Sequence, residues 1–214
     1  MDQFTETMWK IRLDKLTEKL RLNQMDAYIA NTRSDLADIL DSMIAPGSSV
    51  STGGSMTLKE TGVIDYLEEM DIVFFDRQQA KMMGQAALDD IYRHSFSVDY
   101  YLASTNALTS EGWLVNVDGV GNRVAAMMYG PKNVVILCGR NKIVNNLDDA
   151  FVRISQIAGP ANCMRVGKKT TCAISGYCDD CKSTERICNN YSIIKRSNQK
   201  GRIKVILMNF EAGY

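Results

Sequence analysis

Three stretches of this chain carry residue types that can do chemistry. The first is Asp118-Gly119-Val120-Gly121-Asn122-Arg123. Its two glycines allow a tight turn and a close approach of backbone to a ligand, while Asp118, Asn122 and Arg123 offer an acid, an amide and a rigid fork of donors. From that turn Arg123 is expected to meet a carboxylate or phosphate in bidentate fashion rather than only pair with Asp118 and brace the loop. The second stretch is Ser51-Thr52-Gly53-Gly54-Ser55-Met56-Thr57. Glycines between a strand and a helix start either satisfy the geometry of the connection or present backbone N–H groups to an anion. The anion reading draws on the Ser55 and Thr57 hydroxyls and on the charge of Lys59. No Lys-Ser or Lys-Thr pair closes the loop, so it is not a nucleotide-binding P-loop.

The third stretch holds five of the six cysteines: Cys163, Cys172, Cys178, Cys181 and Cys188. Two residues between Cys178 and Cys181 let both thiolates face one ion. Four thiolates, from Cys172, Cys178, Cys181 and Cys188, make a soft site that suits zinc or an iron–sulfur cluster equally well. The alternative is a set of reduced thiols in a loop-rich cap. Cys163 stands outside the tight group, and Cys138 ends an apolar strand as a small hydrophobe. Glu111 is the one acid near the first turn able to act in proton transfer; otherwise it is a solvated loop acid. The chain has one histidine, His94, to which no role is assigned, and a multi-histidine metal site is thereby nearly excluded.

Positioning these residues requires a framework. Trp9, Leu13, Leu16 and Leu20 recur at helical spacing and predict an amphipathic helix over about 3–22. Asp26–Ala30 reads as a strand, and Thr32 with Asp35 resembles a capping box opening the next helix. Strands follow around Val50, at 72–75, at 98–103 and at 113–117, and Asn133–Cys138 reads as a fully buried strand. Residues 57–69, 77–93 and 147–157 read as helices. Residues 159–190 lack clear periodicity, and 191–195 and 203–208 read as the last two strands. Strand alternating with helix from 26 to 158 argues for an α/β fold with a mostly parallel sheet covered on both faces. In such a sheet both glycine turns fall on one edge, so they are expected to share a pocket.

The 214 residues suit a single domain, with the N-terminal helix and the cysteine-rich segment 159–190 as its appendages. Lys plus Arg and Asp plus Glu are 25 each, so nothing suggests a nucleic-acid surface. No apolar run approaches the ~20 residues of a membrane span, and MDQFTETMWK lacks the basic-then-apolar order of a secretory signal. The expectation is a cytoplasmic protein without membrane insertion, whose cysteines stay reduced.

The run TNALTSEGWLVNVDGVGNRVAAMMYGPKNVVILCGRNKIV resembles the central signature of the LUD-domain (lactate-utilisation) proteins. STGGSMTLKETGV resembles their N-terminal glycine motif, and TTCAISGYCDDCKSTERICNNYSII the cysteine segment of a single-domain branch. The resemblance implies a three-layer α/β fold akin to ribose-5-phosphate isomerases and CoA transferases. It implies a role in lactate utilisation: a subunit in oxidation of lactate or a similar hydroxy acid to the keto acid, with other lactate-utilisation subunits as partners. The alternative is a small enzyme or binding protein for a phosphorylated or CoA-linked metabolite, with a structural metal at the cysteines. Both readings take a small anionic metabolite as ligand and allow a homo-oligomer. By position, the family's motifs fall on Gly53, Gly54, Ser55 and Glu60, on Asn106 and Glu111, and on Asn116, Asp118, Gly119, Gly121, Asn122 and Arg123.

Overall fold

Helices begin where the sequence places its caps. In the computed structural model, which describes residues 2–214, the Asp2 side chain accepts from the Phe4 and Thr5 amides at the head of α1 (Gln3–Leu22). Strand β1 (Asp26–Ala30) follows, then α2 (Arg33–Met43), opened by a full capping box of Thr32 and Asp35. The chain continues through β2 (Ser49–Thr52), α3 (Met56–Glu60), α4 (Val63–Glu69), β3 (Val73–Phe75), α5 (Arg77–Met83) and α6 (Gln85–His94). Next come β4 (Tyr100–Ser104), β5 (Ala107–Thr109), β6 (Leu114–Asp118), α7 (Asn122–Tyr129), β7 (Asn133–Gly139), β8 (Ile143–Val144) and α8 (Leu147–Arg153). The last elements are α9 (Gly159–Arg165), α10 (Thr171–Ser175), β9 (Asn190–Ile194) and β10 (Ile203–Met208).

Two helices expected to be continuous are each split by a glycine. Gly62 and Gly84 take φ of +78° and +117°, a region that side chains other than glycine's rarely enter, and there the chain turns between α3 and α4 and between α5 and α6. The segment expected to lack periodicity contains α9 and α10, short helices too brief for an apolar period to show.

Six strands form one parallel sheet in the order β1-β10-β7-β4-β2-β3. Its two faces can be read along β7. Val134, Ile136 and Cys138 point into a core shared with Leu13, Leu16 and Leu20 of α1 and with Ala126 and Met127 of α7. Val135 and Leu137 point the other way, against Leu36 and Leu40 of α2, Leu58 of α3 and Leu67 of α4. A strand buried on both faces reads as a continuous apolar run, as this one does.

The strand at 113–117 does not join that sheet, as the alternation of elements had led one to expect. It is β6 of a second, four-stranded sheet in the order β8-β5-β6-β9, antiparallel at β5/β6 and β6/β9. Leu108 and Leu114 of this small sheet pack into the α1 side of the main core, so it covers part of one face of the parallel sheet. Its other side, Val115 and Val117, packs with Ala150 and Ile154. No helix among the described residues is long and apolar enough to cross a membrane.

Candidate functional site

From β2 the chain moves outward to β3, whereas the strand beside β4 on the other side is β7. The order of strands therefore reverses between β2 and β4, and the loops leaving their carboxyl ends diverge. A parallel sheet opens a crevice at such a point. A cavity of about 80 Å³ lies there, lined by Gly54 and Ser55 after β2, Ser104 to Asn106 after β4, Lys142 after β7, and Asp118 and Arg123. Asn162 and Arg165 of α9 and Tyr214 complete the wall. The two glycine turns do border one cavity, but the second reaches it from the end of β6, in the covering sheet, and not from the parallel sheet.

Arg123 sits between the two sheets and every guanidinium donor is committed. Nε donates to Asp118 Oδ1 (3.2 Å). Nη1 donates to Ser104 O and Asn116 Oδ1 (both 2.8 Å). Nη2 donates to Asn106 Oδ1 (3.0 Å) and Val117 O (2.9 Å). Asp118 also accepts from the Arg123 amide (3.2 Å), and Asn106 Oδ1 from the Val117 amide (3.0 Å). Five donors meeting five acceptors leave no open fork for a ligand. The donors of Arg123, expected to meet an anion, here brace the turn and join the two sheets. Asn106, Asn116 and Asp118 serve that brace, and Gly53 lets the Arg123 stem approach, since a Cβ there would come within 3.3 Å of Arg123 Cδ.

Beyond the Arg123–Asp118 pair, the cavity's charge comes from Arg165 and from Lys142, both of which sequence reasoning missed. Lys142 is 3% exposed. Its Nζ donates to Thr57 Oγ1 (2.7 Å), Ser104 Oγ (3.0 Å) and Thr105 O (3.4 Å). Those hydroxyls donate elsewhere, Thr57 to Ala212 O and Ser104 to Thr105 O, so both act as acceptors toward the amine. Among the described residues no carboxylate pairs with Lys142 or with Arg153, a second buried cation that donates to Asn141 O and Asn106 O. Burial pushes the Cys138 thiol up to about 11, so it stays neutral and supplies no counter-charge. Burial above all, helped by Arg153 and Arg123, holds the Lys142 amine down to about 7. The clue available in the chain was position alone: a lysine just past the end of the most apolar strand.

The remaining expected residues divide plainly. Ser55 caps α3 through Leu58 N (3.3 Å) and borders the cavity. Thr57 holds Lys142. The exposed Glu60 accepts from the Gly213 amide (2.7 Å), and Asn141 Nδ2 donates to Gly213 O (2.7 Å). Together they tie residues 212–214 down so that Tyr214 closes one side. The Tyr214 hydroxyl is buried beside Arg165; burial raises its pKa more than that guanidinium lowers it, so it remains a phenol able to donate. Lys59 is exposed and does not line the cavity. Gly119 and Gly121 face the 187–190 segment, with Gly119 O accepting from Asn189 and Asn190, and Asn122 opens α7. Glu111 lies on the β5–β6 turn, paired with Lys19 at 3.0 Å and outside the cavity; its carboxylate tethers α1 rather than reaching a reacting atom.

The four cysteines expected at one centre are divided. Cys172 is buried in α10, its Sγ 3.3 Å from Thr170 Oγ1, with Cys163 beside it. Cys178, Cys181 and Cys188 adjoin one another on a loop around Arg186. There burial raises the Cys188 thiol, Arg186 opposes the shift, and Cys178 and Cys181 add to it. Arg186 donates to Cys181 O (2.8 Å) and Cys188 O (3.1 Å) and pairs with Asp180 (2.7 Å). Among the described residues no three His, Cys, Asp or Glu side chains converge closely enough to hold an ion. Burial varies along the segment: α10 turns Cys172 inward, Cys181 and Cys188 are half-buried, and Cys178 is exposed.

A family model described as the LUD domain matches residues 13–208. Among solved structures the chain is similar to a DUF162 family protein from Deinococcus radiodurans, at a TM-score of 0.53 and 11% identity, over 94% of this chain and 98% of that one. At that identity the likeness speaks for the fold. A weaker likeness, to eIF2B beta from Chaetomium thermophilum, has a TM-score of 0.38 and 15% identity over 55% of this chain and 44% of that one. No curated protein matches significantly.

Proposed function

This chain belongs to the LUD-domain family, whose function is related to lactate utilisation, and we propose that its cavity binds a small carboxylate of the hydroxy- or oxo-acid class. One observation carries this reading. A buried ammonium, Lys142, is held only by neutral acceptors in a cavity that Arg165 also lines. An unpaired buried charge is destabilising by several kcal/mol, and an anion entering the cavity relieves it. Size chooses between anions. At about 80 Å³ the cavity is far below the ~300 Å³ at which sites for drug-sized ligands begin, which favours a compact acid over a CoA ester. In this reading the protein handles the acid alongside other lactate-utilisation subunits.

A thermal-shift series with lactate, pyruvate, inorganic phosphate, a sugar phosphate and a CoA ester tests it, because a ligand of the native state raises its stability by mass action. The acids are expected to raise the midpoint, and Lys142→Met to abolish the rise. A shift given only by the CoA ester would favour the phosphorylated or CoA-linked alternative.

The cysteines support a second, separate reading. We propose that a metal supplied to this segment draws Cys178, Cys181 and Cys188, which share one loop but do not converge without an ion, around it and leaves Cys172 buried in α10. Three thiolates with an open fourth position suit zinc better than a cluster needing four. Metal analysis is expected to show a centre lost in Cys178→Ser and kept in Cys172→Ser; metal-free wild-type protein refutes it.

A further inference from the structure

Lys142 has the surroundings of an amine nucleophile as well as those of an anion anchor. An ordinary lysine is protonated near neutral pH and its lone pair is tied up. Here the charged form is opposed from several sides. The amine is almost wholly out of water, and its three acceptors are neutral. The titratable and charged groups facing it are Cys138 from β7, Arg153 from α8, Arg123 from α7 and Glu60 from α3, and Asp118, Arg165 and Tyr214 line the same cavity. Arg153, Arg123 and Arg165 are cations, Asp118 is paired with Arg123, and the buried Cys138 thiol is neutral. Glu60 is exposed and already accepts from Gly213. A desolvated lysine next to other cations keeps a usable fraction of free amine, the condition under which lysines attack carbonyl carbons. The same cavity is lined by the Tyr214 hydroxyl, next to Arg165 and with its own proton uncommitted to any protein acceptor.

We propose that Lys142 condenses reversibly with the carbonyl carbon of a 2-oxo acid such as pyruvate, forming an imine in the cavity. This rests on the small-acid reading and adds a covalent step to it. The Nζ lone pair forms a C–N bond as the C=O π pair moves onto oxygen, and one amine proton passes to that oxygen to give a carbinolamine. The C–O bond then breaks, and water carries away the carbonyl oxygen with both amine protons, leaving C=N. No oxidant or reductant is required. The Tyr214 phenol, beside Arg165 in the same cavity, is the donor for the departing oxygen, while Thr57 and Ser104 hold Nζ in place. A 2-hydroxy acid has no ketone carbonyl, and its carboxylate does not condense with an amine, so it occupies the cavity without reacting.

The full chain is incubated with pyruvate and sodium cyanoborohydride, which delivers hydride to an iminium carbon and makes the link permanent, and the digest is mapped by mass spectrometry. The expected result is a pyruvate-derived adduct on the peptide bearing Lys142, suppressed by excess lactate and lost in Lys142→Arg. Lactate competition uses the wild-type protein, so the test stands even if that variant fails to fold. Pyruvate binding is followed in parallel by thermal shift without reductant. A shift with no adduct at Lys142, or an adduct on surface lysines that lactate does not suppress, overturns the imine and leaves the small-acid site intact. No shift with either acid, and no adduct, removes both.

Discussion

Two arginines brace two loops in this molecule, and they do so on very different terms. Arg123, 11% exposed, spends all five donors inside the protein and joins the parallel sheet to the sheet that covers it. Arg186 also gathers loop carbonyls, but it is 19% exposed and its acid partner Asp180 is 75% exposed. The contrast shows that an arginine bordering a cavity becomes a ligand group only if it has donors to spare. The first brace is a condition of the fold, while the second organises a surface loop of its own.

The sharpest way to break this comparison is Arg123→Lys. An ammonium keeps the charge but has three donors in place of five, stranding buried acceptors among Ser104 O, Asn106, Asn116 and Val117 O. A loss of about 3–5 kcal/mol is expected from breaking so buried a network, read as a lower denaturation midpoint. Unchanged stability with weakened acid binding would return Arg123 to the ligand role.

Lys142→Met is expected to behave in the opposite sense. Removing a buried, unpaired charge leaves the ligand-free protein at least as stable, while affinity for lactate or pyruvate falls about tenfold or more, a change of ~1.4 kcal/mol measurable by calorimetry. The same residue sets a pH dependence. Its pKa is lowered in the folded protein from 10.5 to about 7, so between those values the unfolded chain binds more protons. The stability of the ligand-free protein therefore rises as pH climbs above about 7, and the penalty is fully present below it. Acid binding favours the ammonium, so affinity weakens over the same rise. Both slopes vanish in Lys142→Met.

The smallest effect is expected at the surface brace. Arg186→Gln removes an exposed pair, typically 0–1 kcal/mol, so the midpoint barely moves, while proteolysis within 176–189 becomes faster. A large midpoint drop would mean that both loops are braced alike.

Much of the framework was legible because it is local. The capping box of Thr32 and Asp35, the doubly buried run of β7 and the last strand at 203–208 each announce themselves within a few residues. The covering sheet was not legible, since the pairing of Leu114–Asp118 with Asn190–Ile194 joins segments far apart in the chain. Lys142 escaped for a related reason. A lone lysine after a strand looks solvated until Thr57, Ser104 and Thr105 arrive from other elements. Arg123 was found, but its role depended on counting acceptors that only the assembled fold brings together.

The strand order has one more consequence, for the time course of folding. Strand β1, near the start of the chain, makes its ladder only with β10, near the end, and β10 stands between β1 and β7. The α1–β1 unit is made before β10 and has no place in the sheet until the elements between them have been made. Contacts this distant in sequence form slowly, because the loop must close before any pairing rewards it. Leu13, Leu16 and Leu20 therefore wait in water through most of synthesis, and the nascent chain is expected to depend on chaperones until Ile203–Met208 slides into the gap.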